Sequence, residues 1–303
     1  MKNWLMFSLV GLIWGSSFLL IKMGLQELTA FSLVSGRLGF AAIAFAVAFI
    51  ALHKPLPRDP KSLIMLAIVG IVNTAIPFLL ITSGEQTIDS GLASVLDATV
   101  PLFSIWIAHI ALHDDKIYMG KILGLLAGFG GVIILALRQV DPTHPNPFAG
   151  QLAVLIASLF YAIGTVLIRR YLRDVDPIVT AGGSLFVGAV VVIVVTVLFT
   201  RPLPDIAALT LQTKLAVLTL AVINTFVAYI LFFTLINNWG PSRATMVTYL
   251  IPPVGLALGA IVYGEPLDAS IIIGTALIIG GIAFANFGKP KTVPEVEMPP
   301  AAA

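Results

Sequence analysis

The stretch IVTAGGSLFVGAVVVIVVTVLF, residues 178–199, runs for 22 residues without a charge. At 1.5 Å per residue a helix of that length covers about 33 Å, close to the thickness of a bilayer's hydrocarbon core. In lipid the backbone donors and acceptors must be satisfied internally, and an α-helix does this within one segment. Working outward, comparable runs lie at 3–21, 31–53, 62–83, 91–112, 118–138, 149–168, 214–236, 242–263 and 270–287. The sequence therefore predicts an all-α polytopic membrane protein with ten transmembrane helices.

Composition points the same way. The 303 residues are 58% hydrophobic and 11% charged, whereas soluble domains carry about 25% charged residues because their surfaces face water. A net charge of +2 is too small, and its basic residues too scattered, for a nucleic-acid partner. The absence of cysteine excludes disulfides, thiolate metal sites and Cys nucleophiles. The first run contains Trp14 and two glycines and lacks a small-x-small cleavage site, so it reads as a spanning helix rather than a signal peptide.

The longest break before the tail, Gln139 to Pro147, holds three prolines and divides the spans five and five. This gives a first five-helix repeat at 1–138, an outside linker at 139–148, a second repeat at 149–288, and a disordered tail at 289–303. Lys and Arg placement orients them. With the N-terminus inside, twelve fall in inside segments and four (Lys22, Arg138, Arg201 and Lys214) outside, with Arg37 left within a span. Both termini are expected to be cytoplasmic, in a plasma membrane of the bacterial inner-membrane kind.

The halves resemble each other. Leu12-Ile13-Trp14-Gly15 matches Leu159-Phe160-Tyr161-Ala162, and Val72-Asn73-Thr74 matches Ile223-Asn224-Thr225. The spacing from those asparagines to Pro101 and to Pro252 is equal, and Gly130-Gly131 and Gly280-Gly281 occupy corresponding places in spans 5 and 10. An odd number of spans per repeat implies that the second copy inserts upside down, an architecture that recurs in transporters.

Trp14-Gly15-Ser16-Ser17-Phe18 in span 1, Gly36-Arg37-Leu38 in span 2, Pro101, and Gly264-Glu265-Pro266 before span 10 follow in order along this duplicated pattern. On these residues the chain, apart from its tail, resembles the drug/metabolite transporter superfamily in its ten-helix EamA branch. The resemblance implies a central cavity lined by spans 1, 3, 4, 6, 8 and 9, and export of amino acids and similar metabolites.

The residues themselves nominate a site. Pro77, Pro101 and Pro252 lie within spans, where each removes a backbone donor and frees the carbonyl four residues earlier. Those carbonyls belong to Asn73, Asp97 and Thr248, so the prolines read as helix breaks beside a cavity or as simple kinks. Asn73 and Asn224 read either as substrate ligands near the midplane or as interhelical ties. Trp14, Phe78, Tyr161 and Tyr229 can wall a site for flat apolar groups or cations, or simply pack. Thr99, Thr248 and Tyr249 complete the proposed substrate-binding set. Arg37 and Asp97 are the charges deep in spans. Their counterparts, about Ser184 and Thr248, are both neutral, which suggests a pair, structural or coupling. Glu265, Asp268 and Asp114 read as helix-start caps, and Trp4, Trp239 and Tyr118 as interfacial anchors.

None of the four histidines, at 53, 109, 113 and 144, stands at metal-ligand spacing with a carboxylate inside a span. An embedded enzyme is therefore not expected, and neither a metal nor a cofactor is called for. The expected function is secondary transport of small neutral or zwitterionic metabolites, foremost aromatic or apolar amino acids, by alternating access. The alternative is export of organic cations or drugs, with an enzyme or receptor less favoured. The partners expected are a small-molecule substrate and the lipid bilayer, without nucleic acid or ATP, for a monomer.

Overall fold

The computed structural model describes residues 2–111, 119–137, 146–239 and 244–287. The expectations for Asp114, Tyr118, residues 139–145 of the linker and the tail lie outside these residues. Ten apolar helices follow one another: α1 (Lys2–Gly24), α2 (Ala30–Ala51), α3 (Pro60–Gly84), α4 (Ser90–Ala111), α5 (Met119–Ala136), α6 (Phe148–Tyr171), α7 (Pro177–Phe199), α8 (Leu211–Ile236), α9 (Thr245–Tyr263) and α10 (Ala269–Phe287). Nine are long and apolar enough to cross a membrane and the tenth is slightly shorter.

The starts follow from local chemistry. The Thr29, Asp59, Asp176 and Thr210 side chains accept backbone N–H groups in the first turns of α2, α3, α7 and α8. Pro60 and Pro177 take first-turn positions, where no N–H is missed. Gly264, at φ +66°, closes α9 in the left-handed conformation that glycine adopts without a Cβ penalty.

The surface is unlike a soluble protein's. Large apolar side chains face outward, among them Ile50, Leu126, Phe199 and Ile261. Glu85, Ser90, Thr99, Ser158, Thr225 and Asn224 are buried. Such a surface is stable only against hydrocarbon, and the buried polar groups must find partners within the bundle.

The main packing between the halves follows one rule. α1 packs on α8 and α9, and α6 on α3 and α4; α2 packs on α7 and α8, and α7 on α2 and α3. α4 meets α9, and α5 meets α10. Exchanging the halves leaves this set of pairs unchanged.

Hydrogen bonds also sort the connections into two ends. At one end Lys22 donates to the Glu85 and Ile88 carbonyls, Glu27 accepts from Thr210, Asn146 exchanges bonds with Asp89, and Glu265 accepts from Ser90 and Gly91. At the other, Lys54 pairs with Asp176, Asn238 meets Asn3, and Trp4 stacks edge-on against Trp239. The α1–α2 connection thus lies at one end and its counterpart, α6–α7, at the opposite end.

Four helices are irregular. α3 carries a π-turn at Ile71–Ala75 and α8 one at Val222–Val227. α4 breaks between Asp97 and Val100, and α9 opens with a 3-10 segment, Thr245–Leu250. Pro77, Pro101 and Pro252 each stand just after such a distortion, in the restarted helix. Prolines are not the whole cause, however: the π-turn of α8 contains none, and Ala228 occupies the place that Pro77 has in α3.

Candidate substrate site

The two π-turns carry Asn73 and Asn224 to the interface between the halves. The Asn224 amide donates to the Ile13 carbonyl and to the hydroxyls of Ser16 and Ser17 on α1. It is 2% exposed. Asn73 sits against Gly164 of α6, where a Cβ would strike its side chain. Gly164 occupies the repeat position of Ser17. One arrangement therefore recurs twice, hydrogen-bonded on one side and packed on the other. Of the two readings open from sequence, the Asn224 amide nitrogen takes the interhelical tie to α1. Asn73 makes no side-chain hydrogen bond among the described residues and keeps part of its surface.

The aromatic residues obey the same exchange. Trp14 lies edge-on to Tyr229 with ring centroids 6.2 Å apart, and Tyr161 edge-on to Phe78 at 6.4 Å. The wall continues through Phe232 at 5.0 Å from Trp14 and through Phe45 at 6.4 Å from Tyr229. Tyr161 packs on both of the larger apolar clusters, joining them.

Arg37 stands against this wall at Phe78. Its guanidinium lies 4.4 Å from the Phe78 ring centroid, a cation–π distance. Its Nε donates to the Thr225 hydroxyl at 3.1 Å, and that hydroxyl donates in turn to the Leu220 carbonyl five residues back, bridging the π-turn. Tyr161, Tyr229, Glu85 and Asp97 are its electrostatic neighbours. The expected direct ion pair with Asp97 is not formed: among the described residues Arg37 has no carboxylate in contact. Asp97 ends the first segment of α4, and its Oδ1 is buried with no hydrogen-bond partner among the described residues.

The break in α4 disposes of the other polar groups. The Ser158 hydroxyl on α6 donates to the carbonyl of Leu96, at 3.2 Å, and to that of Asp97, at 3.5 Å. Thr99 is fully buried and donates to Leu96 at 2.7 Å. Contrary to expectation, Thr99 thus offers no surface to a substrate. Thr248 donates to Thr245 within its own 3-10 segment, and Tyr249 packs on the main apolar cluster.

Glu265, expected to cap a helix start, caps that of α4. Its carboxylate accepts from the Ser90 N–H and hydroxyl at 2.7 Å and from the Gly91 N–H at 2.8 Å. Asp268 caps α10 through Ile271. Thr225, Ser16, Ser17 and Ser158 were not singled out from sequence. Thr225 adjoins a repeated asparagine, and Ser16-Ser17 lies inside the Trp-Gly-Ser-Ser run, so a signal was present for three of the four.

Ten apolar helices around a polar and aromatic interior define a multi-pass membrane protein. The profile of the EamA-like transporter family matches residues 1–137 and again 148–287, and the chain belongs to that family, within the drug/metabolite transporter superfamily. It is a transporter and not an enzyme. It is 27% identical to "Uncharacterized transporter YoaV" of Bacillus subtilis over 92% of this chain and 94% of that one. It is 29% identical to "Uncharacterized inner membrane transporter YedA" of Escherichia coli, covering 92% and 88%. "Protein PecM" of Dickeya dadantii is 24% identical, covering 77% and 78%. A solved crystal structure with 19% identity superposes with a TM-score of 0.66, over 94% of this chain and 96% of the other, and shares the fold.

Proposed function

We propose that the chain is a secondary transporter that exports small zwitterionic metabolites, foremost amino acids with aromatic or apolar side chains, by alternating access. The observation that carries this reading is the interior site itself: one buried guanidinium over the Phe78 ring, beside Tyr161 and Tyr229, with Trp14 packed on Tyr229. A single cation is too little for a multiply charged phosphate ester. The rings fit an apolar side chain.

Alternating access is supported by the packing rule and by the two ends. If the halves, 1–138 and 149–288, are inverted copies, exchanging their conformations turns a state open to one side into a state open to the other. The end held by Lys22, Glu265 and Asn146 is then the outer end. The placement of Lys and Arg supports a cytoplasmic position for both termini. The inner-membrane name of the Escherichia coli relative supports the location.

The test is counterflow with the purified protein in liposomes. Labelled phenylalanine is expected to accumulate against internal unlabelled phenylalanine, with glucose and tetraphenylphosphonium ineffective. Counterflow with the organic cation alone would replace this reading with drug export. No counterflow with any of the three would refute it.

A further inference from the structure

We infer that Arg37 and Asp97 are the two poles of a clamp for a zwitterion, the guanidinium taking the ligand's carboxylate and the Asp97 carboxylate its ammonium. The inference rests on the transporter reading above. It narrows the substrate to molecules that carry both charges close together, of which α-amino acids are the simplest.

Arg37 is held like a binding group rather than a bolt. Thr225 fixes Nε and the Phe78 ring fixes the plane, while Thr225 is itself fixed by Leu220. A guanidinium has five N–H donors. Only the Nε donor is used among the described residues, which leaves the terminal edge, the edge that grips a carboxylate with two parallel bonds. Asp97 presents the complementary lack, because its Oδ1 is buried without a donor. An ammonium brings three.

A structural salt bridge would bring these groups into contact. Here they lie within each other's field but out of contact, so their attraction offsets only part of what burial costs each group. A free cation would satisfy Asp97 and be repelled by Arg37, and a free anion would meet the converse. A zwitterion satisfies both and leaves its side chain to the rings. Glu85 shares the lack, since both its carboxylate oxygens are buried without a partner among the described residues, but it is fully buried, whereas Asp97 keeps part of its surface. The second half, with Ser184 and Thr248 at the corresponding places, has neither pole. The clamp is single, as one substrate requires.

Binding to the purified full-length protein in detergent, read by ligand-induced thermal shift, tests this with phenylalanine, phenethylamine and 3-phenylpropionate. The wild type is expected to bind phenylalanine about 10- to 100-fold more tightly than either analogue, the loss that follows from one unmade charged hydrogen bond. Asp97→Asn should erase the gap between phenylalanine and 3-phenylpropionate and keep the gap to phenethylamine. Arg37→Gln should do the reverse. Should Arg37→Gln not fold, Arg37→Lys, which keeps a cation but loses the two-pronged fork, must still narrow the gap to phenethylamine. Phenylalanine binding with both gaps unchanged in the variants would overturn the clamp and leave the transporter reading standing. A wild type that neither binds nor counterflows amino acids would overturn both.

Discussion

Gly281→Val is expected to separate α5 from α10 and to remove most of the folded protein, while Gly280→Val, one residue away, is expected to be tolerated. A Cβ at Gly281 would lie 2.5 Å from the Gly124 carbonyl oxygen and 2.7 Å from the Gly128 nitrogen. Those are backbone atoms of α5 and cannot rotate away, so the two helices must move apart along their contact. Overpacking of this kind costs about 1–3 kcal/mol, and more where backbones must separate. Without a hydrophobic force between helices in lipid, close approach at small residues is what holds such pairs together. At Gly280 a Cβ meets nothing within 4 Å. Thermal unfolding in detergent, with size-exclusion profiles of both variants, checks the contrast. Equal loss at the two positions would mean that α10 does not present the Gly281 face to α5.

Asn224→Ala is expected to destabilise the protein by about 1–2 kcal/mol, the range for an interhelical polar tie and a buried amide bond. It removes the bonds that tether α8 to Ile13, Ser16 and Ser17 of α1. Asn73→Ala, at the equivalent position, should cost only about 0.5 kcal/mol, since only packing against Gly164 is lost. Its partly open amide makes a change in flux per folded molecule the expected consequence instead. Melting temperature measured beside counterflow separates the two. Equal destabilisation would show that Asn73 also ties its helix to α6.

This contrast marks where sequence reading stops. Asn73 and Asn224 are the same residue at matching places, and a sequence shows them as a pair. What differs lies on the other half, Ser17 in one case and Gly164 in the other. That becomes visible only once α1 is known to pack on α8, and α6 on α3. The ten spans were legible because uninterrupted apolar runs of bilayer length admit few other structures. The π-turns were not, since a shift from i−4 to i−5 bonding leaves no mark in composition. Reading the irregular backbone from prolines found α3, α4 and α9 and missed α8. Of the paired glycines, Gly130-Gly131 and Gly280-Gly281, only the second of each pair is packed against its neighbouring helix. That distinction depends on how the helices rotate about their axes. Glu265 is legible as a helix-start cap, but the start it serves lies 175 residues away in the chain and no sequence pattern marks it. Arg37 and Asp97 were legible as costly and linked, but the spacing of spans could not tell contact from an open gap.

The central claim, that two copies of one five-helix unit stand in opposite orientations about a shared site, is tested most directly by the sidedness of equivalent loops. Single cysteines can replace exposed Gln26, Arg58, Arg173 and Asp205 in a chain that has none of its own. Each is then labelled in intact cells with a membrane-impermeant maleimide. Gln26→Cys and Asp205→Cys are expected to react from outside, and Arg58→Cys and Arg173→Cys only after the membrane is opened. Each residue would then lie opposite its repeat counterpart, Gln26 to Arg173 and Arg58 to Asp205. Labelling of either counterpart pair from the same side would contradict the claim.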